Sequence, residues 1–426
     1  MTTSDVIPGG VFVAGGQSRY PGDILVESAR GATITSTDGT EYVDYVLGGG
    51  PMVVGHANPH VVDAIQRQAE RGTAYYLSSE PAFEFAERVV DAVPCAEQVH
   101  FTSTGSEATY FALRLARAST GNEKVLKFAG AYHGFHDFVM KSSTFADQED
   151  LLAQEFPDGT HDSAGLVDGA LEQTLVAPFN DSETTADIVR EHAADLAAII
   201  VEPQQRVLPP ADGFLETLRE LCDEHGIVLV FDEVVTGFRL AMGGAQELYG
   251  VEPDLATYGK AIGGGTPVGL IAGRERIMEL SSPSRSPADG GAPVFGTLNG
   301  NPLSATAANA ALDVLERPGT YDQLHDYADR LRALIEDVLA DSPIDGLAMG
   351  DGPVVGYLLT DESHVGDWPT VLGADSETQR AIDERMLEYG VSQILGGKRY
   401  ISTAHGDDEF ARTAEAFKAA VGDVTG

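Results

Sequence analysis

Short apolar runs alternate with amphipathic stretches through the middle of the chain. The stretches SEATYFALRLARA, from Ser106, and GFLETLRELCDEHG, from Gly213, repeat apolar residues at helical spacing. Five apolar runs have the length of buried strands: QVHFT near Val99, VLKFA near Leu126, AAIIVEP near Ile200, IVLVFDE near Leu229 and PVGLIAG near Leu270. This alternation predicts an α/β fold with a large, mostly parallel sheet and helices on both faces.

Outside this region the pattern changes. Near the N-terminus, TITSTDGTEYVDYV has the alternation of a hairpin that turns at Asp38 and Gly39. After Asn301 come two long helical patterns, short strand candidates and a final helix. We therefore expect an N-terminal arm with a small β region over residues 1–59, a large α/β domain over 60–300 and a smaller C-terminal α+β lobe over 301–426.

Length and composition permit a large core that needs neither disulfide bonds nor a structural metal ion. The chain has 426 residues, of which 43% are hydrophobic. Its two cysteines, Cys95 and Cys222, show no metal-ligand or redox spacing, and we expect no metal site. The N-terminus lacks a basic segment followed by an apolar run, and the longest apolar runs are strand-sized. These features predict a cytoplasmic protein that is neither secreted nor inserted in a membrane.

The net charge is strongly negative. There are 66 acidic and 27 basic residues, which gives −39, and only six of the basic residues are lysines. Such a field repels phosphates, so nucleic acid is not an expected partner. Because self-repulsion of this size opposes a compact state unless salt screens it, we hypothesise a high-salt cytoplasm. An acidic mesophilic protein with solvated surface charges is the alternative.

The turn formed by Thr104, Gly105 and Ser106 lies between an apolar strand and a predicted helix. Backbone N–H groups, hydroxyls and the positive helix end suit a phosphate at such a place. A plain helix cap at Ser106 explains the same residues. The turn lacks a P-loop lysine and is not a GxGxxG, which disfavours nucleotide and dinucleotide folds.

Tyr132 and His133 follow the next buried strand, in LKFAGAYHGFHD. A planar ring at this point could stack on a flat cofactor. Two alternatives stay open: a core aromatic beside a turn, and metal binding by His133 with His136, for which no third ligand is nearby.

Asp232 and Glu233 come directly after five apolar residues, at the strand end where α/β sheets bind ligands. A buried carboxylate needs a partner, and a protonated pyridine nitrogen is one. A metal carboxylate pair and a salt bridge with Arg239 are the others.

Lys260 stands 28 residues after Asp232, among small and apolar residues in PDLATYGKAIGGGTPVG. Such surroundings near a cation would lower the pKa of the amine, and a neutral amine can form an imine. A lysine that reaches solvent from a loop is the plainer explanation.

The ordered motifs TSTGSEA, YHG, DEVVTGFR, YGKAIGGG and FGTLNGNP resemble those of class III aminotransferases, and within them the glutamate-1-semialdehyde aminomutase branch. The similarity runs from about Ile7 to the C-terminus, and the ordered set is specific although each motif is weak. The resemblance implies a pyridoxal-phosphate (PLP) transferase of fold type I, like aspartate aminotransferase. It also implies a homodimer with shared active sites.

The resemblance implies roles for particular residues. Lys260 is the Schiff-base lysine and general base, and Asp232 is the partner of the pyridine nitrogen. The remaining cofactor contacts that it implies are Thr104, Gly105 and Ser106 on the phosphate, Tyr132 and Val234 on the two ring faces, His133 and Glu202 near the cofactor, and Thr297 on the phosphate of the neighbouring subunit.

Three functions remain open at this point. The chain departs from the aminomutase pattern at Gln204–Arg206, where that branch has an asparagine, at Gly49 in place of a tryptophan, and near Gly397 in place of a glutamate. These departures favour an aminotransferase acting on a small-molecule amino donor and an oxo acceptor. The aminomutase is the first alternative, and a catalytically inert binding dimer of the same fold is the second.

Arg19 and Arg206 are candidates to bind a substrate carboxylate through two-pronged hydrogen bonds. The alternative for each is a surface arginine paired with some of the many acidic side chains.

Overall fold

The computed structural model describes residues 7–8, 24–144, 146 and 148–426. Its strands are β1 (Val26–Arg30), β2 (Thr33–Ser36), β3 (Glu41–Asp44), β4 (Gln98–Thr102), β5 (Lys124–Phe128), β6 (Thr174–Ala177), β7 (Leu196–Val201), β8 (Val228–Asp232), β9 (Leu255–Tyr258), β10 (Gly269–Gly273), β11 (Leu347–Met349), β12 (Val354–Leu358), β13 (Val391–Ser392) and β14 (Arg399–Tyr400).

The α-helices in the same residues are α1 (Pro59–Arg71), α2 (Glu80–Ala92), α3 (Gly105–Thr120), α4 (Gln148–Ala153), α5 (Asp168–Leu171), α6 (Ser182–His192), α7 (Phe214–His225), α8 (Ala245–Tyr249), α9 (Glu275–Met278), α10 (Pro302–Leu315), α11 (Thr320–Ala340), α12 (Trp368–Gly373), α13 (Ser376–Glu388) and α14 (Asp407–Thr425). None of the described helices is long and apolar enough to cross a bilayer.

The chain divides into two compact units. The larger contains Pro59–Arg317 and Gly366–Leu372, and the other contains the described residues up to Asn58 with Pro318–Val365 and Gly373–Gly426. The sequence pattern predicts helix α10 as part of the C-terminal lobe, whereas in the structure it belongs to the larger unit. The N-terminal and C-terminal segments share one unit rather than two.

The larger unit is built on a seven-stranded sheet in the order β4-β10-β9-β8-β7-β5-β6. Neighbouring strands are parallel except around β10, which is antiparallel to both β4 and β9. The five predicted strands are all present in this sheet. Strands β6 and β9, of four residues each, complete it.

Burial explains why the central strands read as continuous apolar runs. Every residue of β7 and β8 is buried, so neither strand has a solvent face that would demand alternating polar residues. Helix α3 supplies part of the cover, and its Phe111, Leu113 and Leu115 belong to a core cluster with Ile200 and Val230. Apolar side chains of α3 and of the central strands thus share one core cluster.

In the smaller unit the predicted hairpin is present. Strands β2 and β3 pair antiparallel, and Gly39 in the turn has a φ of 88°, which glycine adopts without steric cost. Strand β13, from the C-terminal part of the chain, pairs parallel with β3. This pairing of segments that are far apart in sequence gives the two chain ends one sheet.

Candidate active site

Residues that were singled out in the sequence lie at one edge of the large sheet. Strands β7, β8 and β9 are parallel neighbours, so their carboxyl ends lie at the same edge. Glu202 directly follows β7, Asp232 is the last residue of β8, and Lys260 lies two residues beyond β9. In the register of β8 and β9, Asp232 lies opposite Thr257, three residues before Lys260.

Asp232 is a buried carboxylate with an organised set of partners. The Nδ1 atom of His133 lies 2.8 Å from Oδ2 of Asp232, and both side chains are buried. The other oxygen, Oδ1, accepts from the backbone N–H of Val234 at 3.1 Å and from the Thr257 hydroxyl at 3.3 Å. These contacts orient the carboxylate and offset the cost of burying it.

His133 has a second ring nitrogen, Nε2, that is buried and makes no hydrogen bond within the described part of the chain. The Thr109 hydroxyl donates to the carbonyl of His133 at 2.5 Å, which ties this loop to helix α3. Neighbouring His136 lies near the same hydroxyl, with 3.4 Å between the Thr109 oxygen and its Nε2. The direct contact of His133 with Asp232 is therefore made by its Nδ1 atom.

Tyr132 links the loop after β5 to two other parts of the site. Its backbone N–H donates to Oε1 of Glu202 at 2.7 Å, and its half-buried phenol is hydrogen-bonded to the Ser106 side chain. Burial raises the pKa of the Tyr132 phenol, while the Ser106 hydrogen bond and the charge of Arg206 act in the opposite direction. Tyr132 thus connects Ser106, at the start of α3, with Glu202, at the end of β7.

The N-terminus of α3 is capped from within the chain. Thr104 Oγ1 accepts from the backbone N–H of Glu107, and the Glu107 carboxylate accepts from the N–H groups of Ser103 and Thr104. This leaves the N–H groups of Gly105 and Ser106, in the first turn of a helix, without an intrahelical acceptor. The turn was predicted to offer all three residues to a phosphate, and Thr104 is engaged in the cap.

Glycines let the segments of the site approach closely. A methyl group at Gly105 would lie 2.8 Å from a γ-carbon of Val234, and one at Gly134 would lie 2.6 Å from the Ser106 hydroxyl. Gly259, beside Lys260, also faces Val234 and Gly105. Val234 therefore lies close to both Gly105 and Gly259, the residue before Lys260.

Lys260 begins a short 3₁₀ turn, Lys260–Gly263, and is half-buried. Its φ is 45°, in the left-handed region that a residue with a side chain adopts at a cost. Strained backbone of this kind accumulates where geometry serves function. Because the turn follows the end of β9, Lys260 lies at the same edge of the sheet as Asp232.

Three further residues that were named from the sequence are Thr297, Arg19 and Glu233. Thr297 lies in an exposed stretch with Phe295 and Leu298, and the next residue along, Asn299, contacts the Ser103 hydroxyl at 3.3 Å. Arg19 lies outside the described residues. Glu233, the neighbour of Asp232, accepts hydrogen bonds from Thr236, Ala245 and Gln246 rather than joining the site.

Two contributors were not singled out from the sequence. Thr257, in β9, donates a hydrogen bond to Asp232. The sequence feature that could have indicated this role is a hydroxyl near a strand end, beside a buried acid. Lys127 is fully buried, and its Nζ donates to the carbonyls of Ala131, Val139 and Lys141, at the two ends of the loop that carries Tyr132 and His133. A lysine inside an apolar strand, in a chain with six lysines, was the signal here.

Comparisons with known proteins identify relatives of this chain. The profile described as "Aminotransferase class-III" matches residues 15–404. Two similar proteins are the glutamate-1-semialdehyde 2,1-aminomutases of Methanopyrus kandleri, 40% identical with 99% of this chain and 96% of that protein covered, and of Salinibacter ruber, 42% identical with 92% and 88% covered.

Among solved structures, an omega-transaminase from Sphaerobacter thermophilus superposes with a TM-score of 0.89 at 32% identity, covering 100% of this chain and 96% of the other. A glutamate-1-semialdehyde aminomutase from Pseudomonas aeruginosa superposes with a TM-score of 0.82 at 26% identity, covering 94% and 88%.

The chain belongs to the class III aminotransferase family. The predictions of the family and of its fold, with a large mostly parallel sheet, are confirmed. Members with closely related scaffolds bear the names of transaminases and of aminomutases, so the family leaves both of those activities open.

Proposed function

We propose that the protein is a PLP-dependent aminotransferase that moves an amino group between a small-molecule amine or amino acid and an oxo acid or aldehyde. The observation that carries the proposal is the buried Asp232 carboxylate, oriented by His133 at the sheet edge that also bears Lys260. Two similar solved structures are a transaminase with PLP bound and an omega-transaminase, at 31% and 32% identity.

The residues at the sheet edge fit PLP. Gly105 and Ser106 offer helix N–H groups to its phosphate, and the half-buried ring of Tyr132 and the side chain of Val234 suit the two faces of a flat ring. Asp232 would keep a proton on the pyridine nitrogen through a charge-assisted hydrogen bond. When bound, PLP withdraws electrons from the substrate carbon whose proton is moved.

Lys260 has two tasks in this proposal. Its amine would hold the cofactor covalently, and once free, Nζ would take up and return the proton that amino transfer moves. Glu202 holds the loop of Tyr132 through the backbone N–H of that residue, and His133 keeps Asp232 in place. Positioning of this kind keeps the groups aligned through the reaction.

Borohydride reduction followed by peptide mapping tests the proposal. We expect the reduced cofactor on the peptide that contains Lys260, and we expect Lys260→Ala to lose both this attachment and amino transfer. Lys418→Ala, which changes an exposed lysine, is the matched control and should behave as the wild type. Failure of the wild-type protein to retain PLP or to respond to amine donors would favour the inert binding dimer.

Glutamate-1-semialdehyde aminomutase activity is the second candidate, favoured by 40% identity over nearly the whole chain to a protein with that name. The substitutions at Gln204–Arg206 argue against it. Gln205 is buried and donates to the carbonyl of Ala129, so it is part of the loop's support. Conversion of the semialdehyde without an external acceptor would establish the mutase, whereas transfer to pyruvate or 2-oxoglutarate would establish the transaminase.

A homodimer with shared sites is part of the proposal. Phe295 and Leu298 flank Thr297 and are 71% and 51% exposed in the single chain, as expected for a segment that a second subunit covers. Thr297 would then reach the phosphate of that subunit. Light scattering of the wild type and of Leu298→Glu tests this: we expect a dimer that the charge weakens, and a monomeric wild type would contradict it.

We also propose a cytoplasmic location in a high-salt cell. The charge of −39 supports it because repulsion among surface carboxylates falls as salt screens them. The melting temperature should rise between low and molar KCl. A melting temperature that is independent of KCl would remove the high-salt hypothesis and leave the acidic mesophilic protein.

A further inference from the structure

Lys127 carries a charge inside the large sheet, where only carbonyl oxygens bind it. It is a residue of β5, and its side chain is fully buried. Its Nζ atom donates to the carbonyls of Ala131, at 3.1 Å, of Val139, at 3.0 Å, and of Lys141. An ammonium group has three N–H donors, so these three acceptors use all of them. Because the three partners are neutral, the charge is solvated by carbonyl dipoles rather than by a carboxylate.

The three carbonyls belong to one segment, residues 131–141, which we name the 131–141 loop. Tyr132 and His133 lie near its start, and the Nδ1 atom of His133 is 2.8 Å from Oδ2 of Asp232. Lys127 donates to the first and to the last residue of this loop as well as to a residue between them. A single ammonium group therefore fixes both ends of the loop that carries two proposed cofactor residues.

Four charged side chains act on the Lys127 amine from neighbouring segments. Burial lowers its pKa to about 8, and the negative charges of Asp162 and Glu202 oppose this shift. The positive charges of Arg206, in the turn after β7, and of Lys141, at the end of the loop, add to it. The amine is therefore charged at neutral pH and becomes neutral in mildly alkaline solution.

A neutral amine cannot hold all three carbonyls. It has two N–H donors and a lone pair, and the lone pair repels the carbonyl oxygen that loses its donor. The base of the loop is closed independently, because the backbone N–H of Gly130 donates to the carbonyl of Ser142 at 2.6 Å. Loss of the Lys127 proton would thus loosen the loop above its base while the sheet stays intact.

We propose that Lys127 is a positioning residue for the cofactor: its charged amine holds the 131–141 loop in the conformation that binds PLP, and loss of its proton weakens cofactor binding. The inference rests on the proposed function and adds control of the same site by pH. Lys127 acts through the loop, by keeping Tyr132 at the ring and His133 against Asp232.

The test measures cofactor affinity without chemistry. Pyridoxamine phosphate is the probe because it needs no covalent bond to Lys260, and equilibrium dialysis of the loaded protein gives its dissociation constant. Glutamine offers two N–H donors and no charge, as the neutral amine does. We expect Lys127→Gln to bind the probe about tenfold more weakly than the wild type at neutral pH, the loss of one hydrogen bond to a charged group.

The pH dependence identifies the proton. The difference in affinity between wild type and Lys127→Gln should shrink as pH rises from neutral to about 9.5, because the wild-type amine becomes neutral in this range. Titration of the probe itself is the same for both proteins and cancels in the comparison. Lys124→Met is the matched control in the same strand, at a partly exposed lysine 3.4 Å from Asp195, and should behave as the wild type.

Hydrogen exchange tests the loop without any cofactor. At neutral pH the backbone N–H groups of residues 131–141 should exchange faster in Lys127→Gln than in the wild type, with exchange in β7 and β8 unchanged. Equal exchange of this loop in both proteins would overturn the inference.

A purely structural lysine would give a different pattern. Because the pKa of Lys127 is lowered from its ordinary value of 10.5, the folded protein holds this proton less tightly than the unfolded chain. The stabilisation from this group is complete above pH 10.5 and is lost as pH falls through about 8. The unfolding free energy of the wild type, relative to Lys127→Gln, should therefore rise with pH while its relative cofactor affinity falls.

The outcomes separate the two proposals. A difference in probe affinity that stays constant with pH, or that is absent, would reject the role of the Lys127 proton while the aminotransferase stands. Lys127→Met, which suits an apolar strand and has no donor, replaces the glutamine variant in every comparison if that variant does not fold. A wild type that binds neither PLP nor the probe would reject the proposed function, and the exchange measurement then still tests whether Lys127 orders the loop.

Discussion

Asp232 and Glu233 are consecutive carboxylates at the end of β8, and their surroundings differ sharply. Asp232 has partners on the ligand edge of the sheet, in His133 and Thr257. Glu233 is fully buried, and its two oxygens accept from Thr236 and from Ala245 and Gln246 at the start of α8. Asp232 is the last residue of β8 and Glu233 the first residue after it, so one position lies at the ligand edge while the contacts of the next stabilise the fold.

Both acids have a hydrogen-bond partner on each oxygen, and the difference lies in which parts of the chain supply those partners. The hydrogen bonds of Asp232 hold it in one orientation, and its imidazole partner keeps an unsatisfied nitrogen. Glu233 receives donors on both oxygens from within the protein, and Gln246 also bridges it to the Tyr258 hydroxyl. We therefore expect that mutation of Asp232 changes mainly turnover, and that mutation of the adjacent Glu233 changes mainly stability.

The largest expected effect comes from Asp232→Asn. The amide cannot stabilise a protonated ring nitrogen by charge, so turnover should fall on the order of a hundredfold or more. The amide oxygen can keep the hydrogen bonds from Val234 and Thr257 while the NH₂ group donates to the other tautomer of His133, so the melting temperature should move little. Single-turnover rates with an amine donor, cofactor content and calorimetric unfolding measure the three quantities. An unchanged rate would remove Asp232 from the catalytic site.

Glu233→Gln should give the reverse pattern. An amide has one acceptor oxygen, so its NH₂ group would face donors that now bond to a carboxylate, and each unsatisfied buried donor costs about 1–3 kcal/mol. Relief of the buried charge offsets part of this loss. We expect the free energy of unfolding to fall by about 2–4 kcal/mol with kcat changed less than the Asp232 variant changes it. Loss of turnover at unchanged stability would contradict the division between the two acids.

Local sequence pattern proposes candidate residues for the site but does not reveal which residues support them. Asp232 is a candidate because a buried strand ends there, and Lys260 because small and apolar residues surround it; both inferences are local. The exact role of Glu233 could not be read, because its partners Ala245 and Gln246 come from a short helix beyond a loop. The same pattern of letters fits a metal pair or an ion pair with Arg239.

Long-range pairing was the part of the fold that local pattern could not supply. The order of the seven strands, and the parallel contact of β13 with β3, depend on segments far apart in sequence. Lys127 shows the same limit for a single residue, since its three carbonyl acceptors appear only when the loop after β5 folds back over the strand. Arg206 was recognised as a candidate, but its buried, unsatisfied donors required coordinates.

The smallest expected effect is the pH dependence of the Glu233 contribution. Burial raises the pKa of this carboxyl above its ordinary value of 4.5, against the opposing hydrogen bonds from Ala245, Gln246 and Thr236. A raised pKa in the folded state means that the folded protein holds the proton more tightly than the unfolded chain. The resulting stabilisation is complete below pH 4.5 and is lost as pH rises through the folded pKa.

Glu233→Gln removes this titration, so the stability difference between wild type and variant should depend on pH. The variant should be most destabilised relative to the wild type at acid pH, and the gap should narrow toward neutral pH by about 1.4 kcal/mol for each unit by which the pKa is raised. Denaturant unfolding of both proteins across this range, in constant salt, measures the gap. Because other groups titrate equally in both proteins, a gap that stays constant with pH would mean that Glu233 titrates in the folded protein as it does in the unfolded chain.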